Sequence, residues 1–189
     1  MTDMNKSGLV PYDLHIHDLD FLVSLFGMPV SYQATAARSF GEEMAQQYRF
    51  CYEFDGGMEE FIPGGPRRDT KETRGHLPGR VHVCAEAAWF RGNYPWSAGY
   101  RVCFEEAVLE AGAGAVTLYR EGKEPQALDT SQTRLIPTGI NLPPTGVYLE
   151  ELEHFVSCVR ENRDSQMIRK EQVTGVLSLL EQIGREGEL

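Results

Sequence analysis

Three side chains able to do chemistry lie close together near the start of the chain: Asp13, His15 and His17. An aspartate with a histidine can move a proton, and two histidines can hold a metal ion. The backbone decides which chemistry is possible. In a strand His15 and His17 point to the same side, whereas in a helix residues two apart do not face each other.

The strand interpretation predicts a metal site shared by His15 and His17. The pattern D-x-H-x-H at a strand end resembles the opening motif of the amidohydrolase and PHP-type metal hydrolases. Those folds are barrels of repeating strand and helix units, with further metal ligands along the chain. Here the remaining histidines are His76, His82 and His154, and the strand–helix rhythm is missing. A metal-dependent hydrolase is therefore the weaker enzymatic alternative.

The helix interpretation places Asp13 and His17 one turn apart on one face. A carboxylate in that position can orient the imidazole and stabilise its protonated form. Such a pair suits a general base that takes a proton from a substrate hydroxyl. Pairs of this kind also occur on helix surfaces without any chemistry, and the two residues alone leave both alternatives open.

The surrounding pattern favours a helix from Ser7 to Phe26, and we expect this helix to bind no metal. Apolar residues recur at three- and four-residue steps, as one helical face requires: Leu9, Tyr12, Ile16, Leu19, Val23 and Phe26. Ser7 is a suitable N-cap, and Pro11 falls in the first turn, where amide donors lack intrahelical partners. Gly27 followed by Pro29 is a stop signal.

The rest of the chain predicts strands and then helices. Five segments alternate along the chain and are rich in aromatic and β-branched residues: 30–37, 48–54, 81–90, 100–109 and 116–119. Amphipathic helices follow at 149–159 and 173–183. This order predicts an α+β fold with an open, mainly antiparallel β-sheet and helices packed on one face. The stretch 55–80, rich in Gly, Pro and charge, is predicted to be a mobile insertion.

Composition limits the partners. The 189 residues suffice for a single domain, and the net charge of −10 argues against nucleic-acid binding, which needs a basic patch. The chain has neither a signal-peptide core nor an apolar run long enough for a membrane span. Its four cysteines form no C-x-x-C pair, and those in the strand-like runs are expected to be buried core residues. We expect a cytoplasmic protein.

An ordered series of segments resembles the glucose–fructose oxidoreductase, inositol dehydrogenase and MocA-like (Gfo/Idh/MocA) family. The series begins with S-G-L-V-P-Y-D-L-H-I-H-D-L-D and the aromatic strand Tyr48–Gly57. It continues through A-E-A-A-W-F, P-W-S-A-G-Y-R-V-C-F-E-E-A-V-L-E and V-T-L-Y-R-E-G, and ends with Y-L-E-E-L-E-H-F-V-S-C-V-R-E-N. Together these segments cover most of the chain outside 55–80.

The resemblance implies that residues 1–189 are the C-terminal, substrate-side and oligomerisation domain of an NAD- or NADP-dependent dehydrogenase acting on a small sugar or polyol. It implies that His17 accepts the proton and that Asp13 modulates it. We expect the N-terminal Rossmann domain of that family to be absent from these residues, because no G-x-G-x-x-G follows a strand. The family's E-K-P motif is absent too, since Lys123-Glu124-Pro125 has a different order. We therefore expect the chain alone to bind no cofactor and to be inactive.

Partners follow from the same features. We expect a homo-oligomer, most simply a dimer, through one sheet face, because the strands carry more aromatics than three helices can cover. The family also tends to oligomerise through its sheet. A separate Rossmann domain is the second expected partner. The non-enzymatic alternative is an oligomerisation or binding module, in which four aromatic residues contact a partner chain rather than a sugar ring: Trp89, Tyr94, Trp96 and Tyr100.

Overall fold

The described residues form two antiparallel sheets and three α-helices, which is an α+β fold, as predicted. The structure is a computed structural model that describes residues 9–39, 44–55, 79–90, 93–112, 114–129, 147–165 and 167–187. Residues 1–91 with 166–189 form one compact unit, and residues 92–165 form another. That the chain acts as a single substrate-side domain stays a prediction.

The helices and strands are named in chain order. The helices are α1 (Ile16–Phe26), α2 (Val147–Arg160) and α3 (Lys170–Gly187). The strands are β1 (Ser31–Ala37), β2 (Gln47–Asp55), β3 (Arg80–Ala88), β4 (Gly99–Cys103), β5 (Ala107–Gly112), β6 (Ala115–Arg120) and β7 (Gln126–Leu128). The predicted insertion 55–80 lies outside the described residues except where it meets the ends of β2 and β3.

The first predicted helix is confirmed in its described part. It begins with a π-helical turn, Pro11–His15, which was not predicted, and continues as α1. Pro11 occupies the first position of the turn, where its missing amide costs no hydrogen bond. The helix ends at Gly27, whose φ of 75° favours glycine and whose amide donates to the Val23 carbonyl. The proposed N-cap Ser7 lies outside the described residues.

Strand β2 organises the first unit, where the sheet order is β1-β2-β3. Its alternate side chains are buried on one face of the sheet: Tyr48, Phe50, Tyr52 and Phe54. Leu19 and Val23 of α1 and Leu180 and Ile183 of α3 are buried in the same core cluster. The two helices also touch through Gln172, whose side-chain amide donates to the Asp20 carboxylate at 3.0 Å. Helices thus cover one face of this sheet, as the sequence predicted.

The second unit contains the sheet β4-β5-β6-β7. The single strand predicted over 100–109 is wrong: the chain turns back at Phe104, whose amide donates to the Ala107 carbonyl at 2.8 Å. The turn residues Phe104-Glu105-Glu106-Ala107 include none of the Gly, Pro, Asn or Asp that normally mark a turn. Because of the turn, Arg101 pairs across the hairpin with Glu110 at 2.6 Å.

The expectation that the strand cysteines are core residues is wrong for two of them. Cys84 and Cys103 are exposed, and Cys51 is half-buried. In β2 the aromatic residues occupy the covered face, so Cys51 falls on the open face with Arg49 and Glu53. Only Cys158, in α2, is buried.

Candidate functional site

His15 is the buried centre of the segment that carries the candidate residues. Its side chain is fully buried, at the last position of the π-helical turn. The imidazole Nε2 lies 2.8 Å from the Tyr52 hydroxyl, and Nδ1 lies 3.4 Å from the Asp18 carboxylate. Both ring nitrogens therefore have polar partners, as a buried polar side chain requires.

The partners of His15 fix its hydrogen positions in the neutral form. An ionised carboxylate only accepts, so Nδ1 carries the hydrogen and points it toward Asp18. Nε2 then accepts a hydrogen bond from Tyr52. Burial, followed by the charge of Asp18, raises the pKa of Tyr52 well above its ordinary value, so this phenol keeps its proton at neutral pH.

Aromatic stacking holds His15 in place on the covered face of β2. Its ring is nearly parallel to that of Phe50, with an interplanar angle of 4° and a centroid distance of 3.8 Å. Tyr52 stacks at 5.7 Å from the same ring. The alternation of β2 brings Phe50 and Tyr52 to this side of the sheet. His15 thus anchors the helical segment on β2.

His17 points away from His15 and its aromatic partners. It is exposed, while Asp13 in the preceding π-helical turn is half-buried. Among the described contacts no hydrogen bond or ion pair joins Asp13 to His17, so the structure does not bring the two candidate residues into direct contact. The structure instead leaves the imidazole of His17 accessible to a ligand. The opposite side of its helix is anchored in the core.

The helical backbone removes the premise of the metal interpretation. His15 and His17 lie on different sides of a helix, not on one side of a strand. Both nitrogens of His15 are already engaged. Across the described ranges, no group of three or more His, Cys, Asp or Glu side chains is placed to hold a metal ion.

The sequence did not reveal that Phe50, Tyr52 and Asp18 surround His15. Phe50 and Tyr52 were assigned to a strand by their alternation, but which of the two histidines they would meet depends on tertiary packing. Asp18 follows His15 by three residues, and that spacing on a helix is the one local signal for this contact.

The aromatic candidates divide between the two units. Trp89 is partly buried and packs against the core of the first unit. Tyr94, Trp96 and Tyr100 are exposed in the second unit, and Trp96 is 74% exposed. Tyr100 lies in β4, opposite Ala111 of β5.

The described residues contain no dinucleotide-binding motif of the Rossmann kind. Every strand pair in the two described sheets is antiparallel. A pyrophosphate site of the Rossmann kind needs a parallel strand, a glycine-rich turn and a helix N-terminus in that order. These residues therefore do not fit a nicotinamide dinucleotide. Separately, no helix among the described residues is long and apolar enough to cross a bilayer.

Substitution of the buried histidine should affect stability far more than substitution of the exposed one. His15→Ala should lower the free energy of unfolding by about 2–4 kcal/mol, because it removes a buried ring and leaves Tyr52 without its partner. His17→Ala, at an exposed position, should change it by less than about 0.5 kcal/mol. Urea unfolding followed by Trp89 fluorescence in a Trp96→Phe background reports on the first unit. Equal effects of the two substitutions would contradict the assignment.

Comparison with solved structures shows what this fold is similar to. The chain is 16% identical to UDP-N-acetylglucosamine 3-dehydrogenase GnnA from Acidithiobacillus ferrooxidans, with a TM-score of 0.64 over 100% of this chain and 50% of that one. An oxidoreductase from Agrobacterium radiobacter in complex with NAD+, L-tartaric acid and magnesium is 10% identical, with a TM-score of 0.64 over 100% of this chain and 51% of that one.

A more distant likeness is to biliverdin reductase from Synechocystis, solved with biliverdin and NADP+. It is 11% identical, with a TM-score of 0.54 over 96% of this chain and 47% of that one. No protein-family model and no curated protein matches the chain. The chain spans about half the length of the oxidoreductases that it resembles. Its fold is similar to that of one half of these oxidoreductases, which agrees at the level of the fold with the predicted resemblance to a C-terminal domain.

Proposed function

We propose that this chain is the substrate-side domain of an NAD- or NADP-dependent dehydrogenase of small sugars or polyols, inactive until it meets a Rossmann domain. The observation that carries the proposal is the fold: the chain superposes over its full length on half of several oxidoreductases. The exposed His17 on a core-anchored helix supports the same proposal, since it offers a proton acceptor at the position that the family motif implies.

The role of this chain in the reaction is proton transfer and substrate positioning. Oxidation of a secondary alcohol to a ketone releases one hydride from carbon and one proton from oxygen. The nicotinamide, held by the other domain, supplies the hydride acceptor. His17 takes the proton through an imidazole nitrogen, and we assign Asp13, one turn earlier, the modulating role that the family motif implies.

The anchored face of the helix gives His17 its orientation. A general base must lie within hydrogen-bond reach of the proton that it removes, so rotation of the helix would misplace it. The stack of His15 on Phe50 and the hydrogen bond to Tyr52 oppose that rotation. Asp18 adds a contact on the solvent side of the same ring. His15 thus acts as a positioning residue for His17.

The substrate class follows from the proton acceptor and from the neighbours. A neutral imidazole suits a hydroxyl group, and GnnA is named as acting on a sugar nucleotide while the Agrobacterium radiobacter enzyme was solved with a hydroxy acid. Both of the molecules named there carry secondary hydroxyls. A small polyhydroxylated substrate is therefore the class that we propose here.

The partner that completes the site is a Rossmann domain on another chain or another segment. The similar oxidoreductases are about twice as long as this chain, and two were solved with NAD+ or NADP+. We propose a cytoplasmic setting, because Cys84 and Cys103 are exposed free thiols, which a reducing compartment preserves.

Activity should appear only when the chain is combined with its Rossmann domain. In that mixture, His17→Ala should lower the rate of NADH or NADPH formation from a polyol panel by about 10²–10⁴-fold, because the proton acceptor is lost. His82→Ala is the matched control, since His82 is also exposed but lies on β3. If both substitutions leave the rate unchanged, His17 is not the base.

The chain alone should not bind the cofactor. Titration calorimetry of the isolated chain with NAD+ and NADP+ should show no binding at micromolar concentrations, because the described residues provide no parallel strand, glycine turn and helix unit. Micromolar binding to this chain alone would contradict the division of labour between two domains.

The second sheet is the surface that we propose for self-association. The register puts Tyr100 and Val102 of β4, Leu109 of β5 and Leu118 of β6 on one face. Tyr100 is 53% exposed and Val102 is 38% exposed. The aromatics of β2 do not contribute, since they are buried in their own unit. A continuous apolar face of this kind marks an interface, and it also supports the alternative of a non-enzymatic oligomerisation module.

A charge on this face should break the dimer. Val102→Lys should shift the mass measured by light scattering from dimer to monomer, because a buried unpaired ammonium opposes association. Thr117→Lys is the matched control, because Thr117 lies on the opposite face of the same sheet. A wild-type chain that is monomeric throughout the micromolar range would refute self-association through this sheet.

A further inference from the structure

Two cysteines face each other on the open side of the first sheet. Cys51 of β2 is the direct cross-strand partner of Cys84 of β3. Their Sγ atoms lie 3.5 Å apart, with both thiols free. The neighbouring rows of the same face are charged or polar, with Arg49 beside Glu86 on one side. No step of the proposed dehydrogenase uses this pair.

The register places the two thiols close enough for a disulfide. Cys51 and Cys84 are direct partners in the antiparallel β2–β3 ladder. Directly opposed residues in such a ladder have Cα atoms about 4.5–5.5 Å apart, which lies within the range that a disulfide spans.

The two thiols differ in accessibility. Cys84 is exposed, whereas Cys51 is half-buried. The hydrogen bond with Cys84, followed by burial, raises the pKa of Cys51, so that thiol holds its proton more firmly than usual. Cys84 is therefore the thiol that an oxidant meets first, and Cys51 lies within reach of whatever forms there.

We propose that Cys51 and Cys84 form an oxidative modification site that reacts with small-molecule disulfides of the glutathione type and closes into a cross-strand disulfide. The thiolate of Cys84 attacks one sulfur of the small disulfide, forms a mixed disulfide and releases one thiolate. The thiolate of Cys51 then attacks the Cys84 sulfur, breaks the mixed bond and releases the second small thiol. Two protein thiols are oxidised, one small disulfide is reduced to two thiols, and the two protons pass to those thiols.

The cysteine pair lies on β2, the strand that also contacts His15. In β2, Cys51 lies between Phe50 and Tyr52, whose side chains contact His15 on the opposite face. A covalent link between β2 and β3 at this row fixes the backbone from which both aromatic rings project. Oxidation of Cys51 on the open face therefore acts on the backbone of its two sequence neighbours, whose side chains lie on the covered face.

The test uses the full chain in a Cys103→Ser, Cys158→Ser background, so that only the two thiols of the pair remain. The chain is incubated with oxidised glutathione, and free thiols are counted under denaturing conditions alongside peptide mapping by mass spectrometry. We expect the loss of both thiols, a peptide linking Cys51 to Cys84 within one chain, and full recovery of thiols with dithiothreitol.

Two single variants separate the steps. In the same background, Cys51→Ser should accumulate a stable glutathione adduct on Cys84, because the resolving thiol is gone. Cys84→Ser should react more slowly than Cys51→Ser, because the remaining thiol is half-buried. A separate adduct on each cysteine without a linking peptide would overturn the proposal. So would unreacted thiols at a glutathione concentration that modifies the exposed Cys103 in the wild-type chain.

Discussion

The contact between His15 and the aromatic face of β2 is the interaction on which the candidate site depends. A fully buried imidazole costs free energy unless both nitrogens have partners, and Tyr52 and Asp18 provide them. The ring of Phe50 supplies the apolar surface at 3.8 Å. These contacts determine which side of the helical segment enters the core. The orientation of every other side chain on that segment, His17 included, follows from it.

The period of β2 makes this contact possible. Its aromatic residues all fall on one face because strand side chains alternate, and that face receives α1 and α3. The same alternation leaves Arg49, Cys51 and Glu53 on the other face, where they pair with residues of β3. One strand therefore separates an aromatic core from a polar surface. Aromatic content alone did not reveal this division.

Local patterns predicted the elements, and tertiary packing decided the site. Gly27 and the three- and four-residue apolar steps are local signals, and they predicted where the first helix ends. The alternation of β2 is also local. The turn at Phe104 escaped prediction because its residues lack turn chemistry and are held by pairing across the hairpin. The burial of His15 escaped because Tyr52 lies 37 residues away in sequence.

His15 and His17 illustrate why residue type and spacing alone do not determine function. His15 and His17 are chemically identical and only two residues apart, yet the first is fully buried and the second is exposed. A general base must reach its substrate, whereas a side chain that anchors a helix in the core is shielded from water. One side chain therefore cannot do both. A helix resolves the conflict because it turns successive residues to different sides. The buried histidine fixes the helix, and the exposed histidine stays accessible, as the proton transfer proposed for it requires.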